Sequence, residues 1–456
     1  MRTQTIAGII AEYNPFHNGH SYQIAQIRKH LHPDYIVVVM SGDFVQRGAP
    51  ALMDKDTRAK MCLLAGADLV LELPVAAATG SASCFAMGAV DLLRACGVVT
   101  HLCFGAETDD LPRMQKLAEI LCQEPHFYRQ ALKKYLKEGY SFPAARALAL
   151  PDYADLLRQP NNILAVSYLA ALHSGSTDLG TMKPVLIPRI GANYHGTNFA
   201  DLSDRSSAPR ILGSAEGIRT LLFFGQNKCS EEGTADCPCD SLRASACGAL
   251  FDSHAAAPSA CRALFDSHAA ALSAMVPDTT FRIMKEYEQS SAFLREDDFS
   301  LLLAHCLLRE TRESLLMYRD FDEALANRVL SLRPEFTTWS RFCELLKTKN
   351  TTYTGISRAL THLLLGLKKD TVSQSGVFYL RVLGFRKEAS PLLIKIKECA
   401  GAPLLTTPAD AGQILCLQGL AQLQQDLYAA DLYRTVLTAR CGHAFPNEYR
   451  KKLLIL

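Results

Sequence analysis

The first hundred residues alternate short apolar runs with amphipathic stretches, and this alternation constrains the fold more than any other feature. TIAGIIA (Thr5–Ala11), YIVVVM (Tyr35–Met40), ADLVLEL (Ala67–Leu73) and THLCFG (Thr100–Gly105) have the length of strands. YIVVVM is apolar throughout, as a parallel strand covered on both faces must be. Helices are expected from about His20 to Leu31, and from Asp54 to a stop at Gly66. Repeated strand–helix units predict an α/β fold with an open parallel sheet of Rossmann type. Ligands in such sheets lie beyond the carboxyl ends of the strands. Tyr13–His20, Ser41–Pro50 and Phe104–Glu107 are those ends.

At 456 residues the chain exceeds one ordinary core, so several domains are expected. The expected division is a Rossmann-like first domain over 1–225, an Ala- and Cys-rich insertion over 226–274, and a mostly α-helical, basic domain over 275–456. Within the insertion, ACGALFDSHAAAPS (Ala246–Ser259) is followed directly by ACRALFDSHAAALS (Ala260–Ser273). Two copies are too few for a solenoid, so a mobile insertion is the expectation. Cys229, Cys237, Cys239 and Cys247, with His254 and His268, fit no common zinc spacing, and no bound metal is expected. The other cysteines, among them Cys62, Cys84, Cys96, Cys103, Cys306 and Cys416, read as reduced core residues. No apolar run reaches the ~18–20 residues of a spanning helix, and the N-terminus lacks a secretory pattern, so a cytoplasmic protein is expected. The net charge of +2 says little, but residues 341–400 carry eleven Lys/Arg against four Asp/Glu. Such a run is either a set of solvated helix faces or a polyanion-binding surface.

The chemistry concentrates in NPFHNGH (Asn14–His20), at the turn from the first strand into the first helix. Asn14 and Pro15 bend the chain away from the sheet. Gly19 permits close approach to the backbone, and the helix N-terminus is a ready anion site. His17 and His20 add donors that can follow charge building up on a phosphate, which suits nucleotidyl transfer. A buried, hydrogen-bonded histidine pair without a ligand is the competing account. Ser41, Gln46 and Arg47 follow the second strand, and Arg47 can hold a phosphate or carboxylate in a two-pronged contact. Gly105 would let a base or ribose lie against bare backbone. Asn162, in PNN, could read an adenine edge or a ribose hydroxyl, or could simply cap a helix.

HNGH resembles the HxGH signature of the nucleotidyltransferases of the class I tRNA-synthetase-like superfamily. More closely, the chain resembles the bacterial tRNA(Met) cytidine acetate ligases. The resemblance rests on EYNPFHNGH (Glu12–His20), MSGDFVQRGAPA (Met40–Ala51), GADLVLELP (Gly66–Pro74) and CFGAE (Cys103–Glu107). It continues through YSFPAA (Tyr140–Ala145), QPNNILA (Gln159–Ala165), PRIGANYH (Pro188–His195) and GSAEGIR (Gly213–Arg219). It implies activation of acetate by ATP, with Mg²⁺ accompanying the nucleotide, and acetylation of N4 of the wobble cytidine in elongator tRNA(Met). His17, His20 and Arg47 would then be catalytic. ATP would meet Ile10, Ala11, Glu12, Tyr13, Asn14, Pro15, Phe16, Asn18, Gly19, Ser21, Tyr22 and Gln23. Further along, Gly105, Asn162, Arg189, Ile190, Ser214 and Arg219 would complete its site. Glu216 and Gly217 depart from the family's SATxIR pattern. LKTKNTTYTGISR retains Lys347, Lys349 and Arg358 for a tRNA contact, while Asn350 and Gly355 stand where the family has arginines.

Two other readings compete. One is a different HxGH nucleotidyltransferase that makes a small cofactor, which leaves the basic helical half unexplained. The other is a nucleotide- or RNA-binding protein without catalysis.

Overall fold

The computed structural model describes residues 4–174, 182–189, 213–223, 257–369 and 376–456. Its centre is a parallel sheet formed by the four expected runs, each within two residues of the expected bounds. Strand β1 (Ile6–Ala11) pairs in parallel with β2 (Tyr35–Ser41), Ile6 opposite Tyr35 through Ala11 opposite Met40. Next come the tiny antiparallel hairpin β3 (Phe44–Val45) and β4 (Ala49–Pro50), then β5 (Leu69–Leu73), β6 (His101–Ala106) and β7 (Lys183–Pro188). The spatial order β5-β2-β1-β6-β7 reverses direction at β1. A crevice therefore opens between the carboxyl ends of β1 and β6, where open α/β sheets bind ligands.

Both faces of the sheet are covered, which explains why its strands are apolar on both sides. Val37, Val39, Leu69 and Leu71 pack under the helices Ala82–Ala95 and Pro160–Ser174 on one face. Ile36, Val38, Met40 and Val70 pack on the other, with Ile24 and Ile27 of helix α1 (Asn18–Leu31) and with Ala59 and Cys62 of α2 (Lys55–Leu64). Helix α2 begins where Asp54 caps it by accepting from the Thr57 N–H at 2.9 Å. The chain turns away at Gly66, whose φ of +110° suits only glycine.

Two features add to the expected layout. The stretch after residue 275 is mostly helical, as expected, but not entirely: β8 (Leu380–Phe385) joins the sheet antiparallel to β5, flanked by β9 (Leu404–Leu405) and β10 (Leu454–Ile455). All six β8 residues are buried, so LRVLGF carries none of the alternation that distinguishes a half-exposed strand from a helix. The duplicated segment is not simply a mobile insertion either. Its second copy lies in the helix Ala257–Met275, and Phe265 and Leu272 are fully buried in the core beneath α1 and α2. The first copy up to Ala256, with Cys229, Cys237, Cys239, Cys247 and His254, lies outside the described residues.

A third core joins the remaining helices. Trp339 and Phe342 pack with Leu360 and Leu363 of the helix Tyr353–Leu365 and with Tyr433 of the helix Leu417–Cys441. Phe44 of the small hairpin belongs to this cluster, so the loop after β2 is anchored in the helical half. All described cysteines are unbonded; Cys62, Cys96, Cys103 and Cys343 are buried, whereas Cys84 and Cys416 are exposed, against expectation. Cys84 lies in the first turn of its helix and Cys416 caps the N-terminus of another, positions open to solvent. No described helix is long and apolar enough to cross a membrane.

Candidate active site

The site is built on the turn from β1 into α1. Tyr13 has a positive φ of 48°, uncommon for a bulky residue, and the Asn14–Pro15 bond is cis. The Asn14 Oδ1 accepts the Leu52 N–H at 2.7 Å, which ties this turn to the loop after β2. Ile10 and Ala11 end the strand, and Tyr13 and Phe16 bury their rings in the core, so only their backbones can meet a ligand. Ser21, Tyr22 and Gln23 lie within the first two turns of α1.

His17 caps α1. Its Nδ1 accepts the Gly19 N–H at 3.1 Å, while the His20 Nδ1 accepts the His17 N–H at 3.2 Å. The two rings stack with centroids 3.7 Å apart. A Cβ on Gly19 would come within 2.9 Å of the His17 ring, so this glycine makes room for the cap itself rather than only for a ligand. Because both Nδ1 atoms accept, each neutral ring carries its proton on Nε2. Burial, then the guanidiniums of Arg189 and Arg219, push His17 down to about 3. Burial, His17 and Arg189 push His20 well below the usual histidine range. The pair is therefore neutral at physiological pH, each ring with an Nε2–H to donate.

Arginines converge on this pair from separate parts of the chain. Arg219 donates to the Asn14 carbonyl at 2.6 Å, from a helix whose N-terminus Ser214 caps by accepting the Gly217 N–H at 3.0 Å. Arg47 sits 3.3 Å from the carboxylate of Glu216, so the acidic departure in GSAEGIR neutralises a neighbouring cation. Arg189 follows β7 directly; Ile190 lies outside the described residues. The Glu12 carboxylate accepts the Gln46 N–H at 2.7 Å, and Asn18 donates to the Ala274 carbonyl at 2.8 Å, just past the duplicated segment.

On the opposite lip Asn162 is buried and bonded to the loop after β6. Its Oδ1 accepts the N–H groups of Glu107 and Thr108 at 3.0 and 3.1 Å, and its Nδ2 donates to Thr108 Oγ1 at 2.9 Å. The Glu107 carboxylate in turn accepts the N–H groups of Asn161 and Asn162. Asn162 thus shapes the loop after β6, since its oxygen is already spent on the protein. Next to it, a Cβ on Gly105 would meet the Arg189 stem at 3.5 Å and the Ile187 carbonyl at 3.8 Å, both ordinary contacts, so packing against the protein does not demand this glycine.

Sequence reasoning missed Arg58. Fully buried in α2, it donates to the carbonyls of Glu12 at 2.6 Å, Ser41 at 3.2 Å, Met53 at 2.9 Å and Gly42, joining the loops after β1 and β2. The signal was available: Lys55, Arg58, Ala59 and Cys62 share one helical face with the core-facing residues. The basic segment lies nearer the crevice than its sequence position implies. Gly48, in the tip of the small hairpin, has its Cα so close to the helix backbone at Ser357 and Arg358 that a Cβ would come within 2.3 Å of it. Ser357 Oγ donates to the Gly48 carbonyl at 2.5 Å. Arg358 pairs with Asp320 at 3.0 Å, Lys347 lies 3.5 Å from Glu344, and Lys349 is exposed.

The sequence profile described as HIGH Nucleotidyl Transferase matches residues 4–238 and 244–445. A tRNA(Met) cytidine acetate ligase of Halothermothrix orenii is 34% identical over 423 residues, covering 88% of this chain and 86% of that protein. One from Syntrophomonas wolfei is 36% identical, covering 86% and 84% respectively. The crystal structure of Thermotoga maritima TmcAL bound with alpha-thio ATP matches with a TM-score of 0.79 and 28% identity, over 99% of each chain. With its neutral HNGH pair at the switch point of the sheet, the chain belongs to the HIGH nucleotidyl transferase family and, within it, to the tRNA(Met) cytidine acetate ligases.

Proposed function

We propose that this protein activates acetate with ATP and transfers the acetyl group to N4 of the wobble cytidine of elongator tRNA(Met). The carrying observation is the pair of neutral Nε2–H donors at a helix N-terminus, under Arg189 and Arg219. An acetate oxygen attacks the α-phosphorus of ATP, the bond to the bridging oxygen breaks, and pyrophosphate leaves with the electron pair. The donors of His17 and His20 and the α1 N-terminus meet the extra negative charge on the five-coordinate phosphorus. Arg47 and Arg219 hold the departing phosphates or the incoming carboxylate. The cytidine N4 then attacks the acetyl carbon, AMP leaves, and N4 loses a proton. Among the described residues no group of three His, Cys, Asp or Glu converges as a metal cage. A magnesium ion would therefore travel on the triphosphate, as such ions commonly do, and no step here is assigned to it. Lys347 and Lys349 are the proposed tRNA contacts of the helical half, and the cytoplasm the proposed location.

Nucleoside mass spectrometry of tRNA(Met) incubated with the protein, ATP and acetate tests this reading. The expected product is N4-acetylcytidine, formed only when all three are present. Pyrophosphate release that depends on another co-substrate would point instead to a cofactor-making enzyme. No release at all would leave a binding protein.

A further inference from the structure

Between β6 and β7 the chain makes a helical excursion that leaves the sheet at the crevice, from the carboxyl end of β6. Its root is pinched by Glu107 on the Asn161 and Asn162 N–H groups and by the ion pair of Arg113 with Asp155 at 2.6 Å. The helix His126–Lys137 within it shows solvent a continuous face bearing Arg129, Lys133, Lys134 and Lys137. None of these four cations is paired with a carboxylate among the described residues. Acid is scarce too, with Glu138 the one carboxylate against five Lys/Arg over residues 126–146. Aromatic rings sit beside these charges and are not withdrawn into a core: Phe127 is 58%, Tyr140 44% and Phe142 53% exposed. Lys134 lies 5.4 Å from the centre of the Tyr135 ring, which in turn meets Tyr140 edge-on at 6.0 Å. Exposed rings interleaved with unpaired cations are the chemistry that stacks unpaired bases while tracking their phosphates. A core face would bury the rings, and a merely solvated face would not need them.

We propose that this surface binds single-stranded RNA, the unpaired loop of the tRNA substrate, as a second contact beside Lys347 and Lys349. This rests on the tRNA substrate proposed above and adds where its unpaired bases are held.

Two full-length variants test it: Phe127→Ala with Phe142→Ala, and Lys133→Ala with Lys134→Ala and Lys137→Ala. All five side chains are exposed, so melting temperatures should match the parent. The probes are a fluorescein-labelled tRNA(Met) transcript and a labelled unstructured 12-mer oligoribonucleotide, titrated at two salt concentrations. The aromatic variant should bind both probes roughly 5-fold or more weakly per ring lost. The lysine variant should flatten the salt dependence by up to about 0.7 in log–log slope per lost phosphate contact. Acetate-dependent pyrophosphate release without RNA should match the parent in both. Unchanged affinity for both probes in both variants would overturn the proposal. So would loss of binding to phosphatidylglycerol vesicles with RNA affinity intact, which would make the patch a membrane contact. A parent that binds RNA through this patch yet releases no pyrophosphate with acetate would sink the proposed reaction and leave the surface standing.

Discussion

Locked as Nε2–H donors by the backbone of their own turn, His17 and His20 are placed to act, in the proposed reaction, through position rather than by gaining a proton. Replacing either with Ala should lower acetyl-adenylate formation by ~10²-fold or more, as loss of an oxyanion-type donor does. Measurement of acetate-dependent pyrophosphate exchange at saturating ATP checks this. Their titration also links folding to pH. His17 is held near 3 in the folded protein and returns to about 6.5 when unfolded, so the unfolded state binds the extra proton between these values. His17 therefore costs stability as pH falls below about 6.5. Asp43 works in the opposite sense: burial pushes it up to about 6, so the folded state takes its proton first and gains stability below that pH. His17→Gln should make stability fall less steeply from pH 6.5 to 5, by up to about 1.4 kcal/mol per pH unit, in urea melts across that range. The histidines were legible because they follow a strand and precede a helix, a local arrangement. The loop carbonyls that the buried Arg58 joins, and the inward use of Asn162, were not, since these partners come from loops far apart in sequence.

At the scale of elements, the core strands announced themselves by apolar length, and β8 escaped because it lies among helical patterns with no alternation of its own. The second copy of the duplicated segment was read from composition, which cannot reveal that Leu272 is buried and Phe265 is stacked against Phe281 and Phe293. Deleting residues 228–273 would therefore remove core as well as insertion. Phe265→Ala should destabilise the protein by ~3–5 kcal/mol, the usual cost of emptying a buried aromatic site, and calorimetry or urea melts would show it. An unchanged melting temperature would mean that this helix stands apart from the core.

For the whole molecule, the expected division at residues 225 and 275 meets a sheet that draws strands from both sides of it. The carboxyl ends of β2 and β5 are tied to the C-terminal residues by a buried charge cluster. Lys55, fully buried, lies 2.7 Å from Glu72 and 2.9 Å from Glu448, and Arg381 of β8 reaches Glu72 at 3.2 Å and Glu448 more closely still. Burial raises the Glu448 carboxyl, but Lys55, Lys451 and Arg381 together hold it well below the usual carboxylate range. Glu448→Gln would leave these cations undercompensated and should cost ~3–5 kcal/mol, seen as an earlier urea midpoint. Residues 1–225 expressed alone should not give a cooperative melt, because β5 would lose its partner β8 and Lys55 its partner Glu448. A stable, ATP-binding fragment of that length would show that the two parts fold independently. None of this network was visible in the sequence, where its members are spread over nearly four hundred residues.

The buried second copy also bears on how the gene can change. Direct repeats invite unequal pairing that deletes one unit, and each such event leaves a hybrid whose end comes from the downstream copy unless the exchange falls in the last two codons. The copies differ at Gly248 versus Arg262 and at Pro258 versus Leu272, and it is Leu272 that is buried. Nearly every single-unit loss therefore keeps the leucine and the phenylalanine the core needs. The rare one that keeps the proline would set a residue without an N–H in the buried part of the helix.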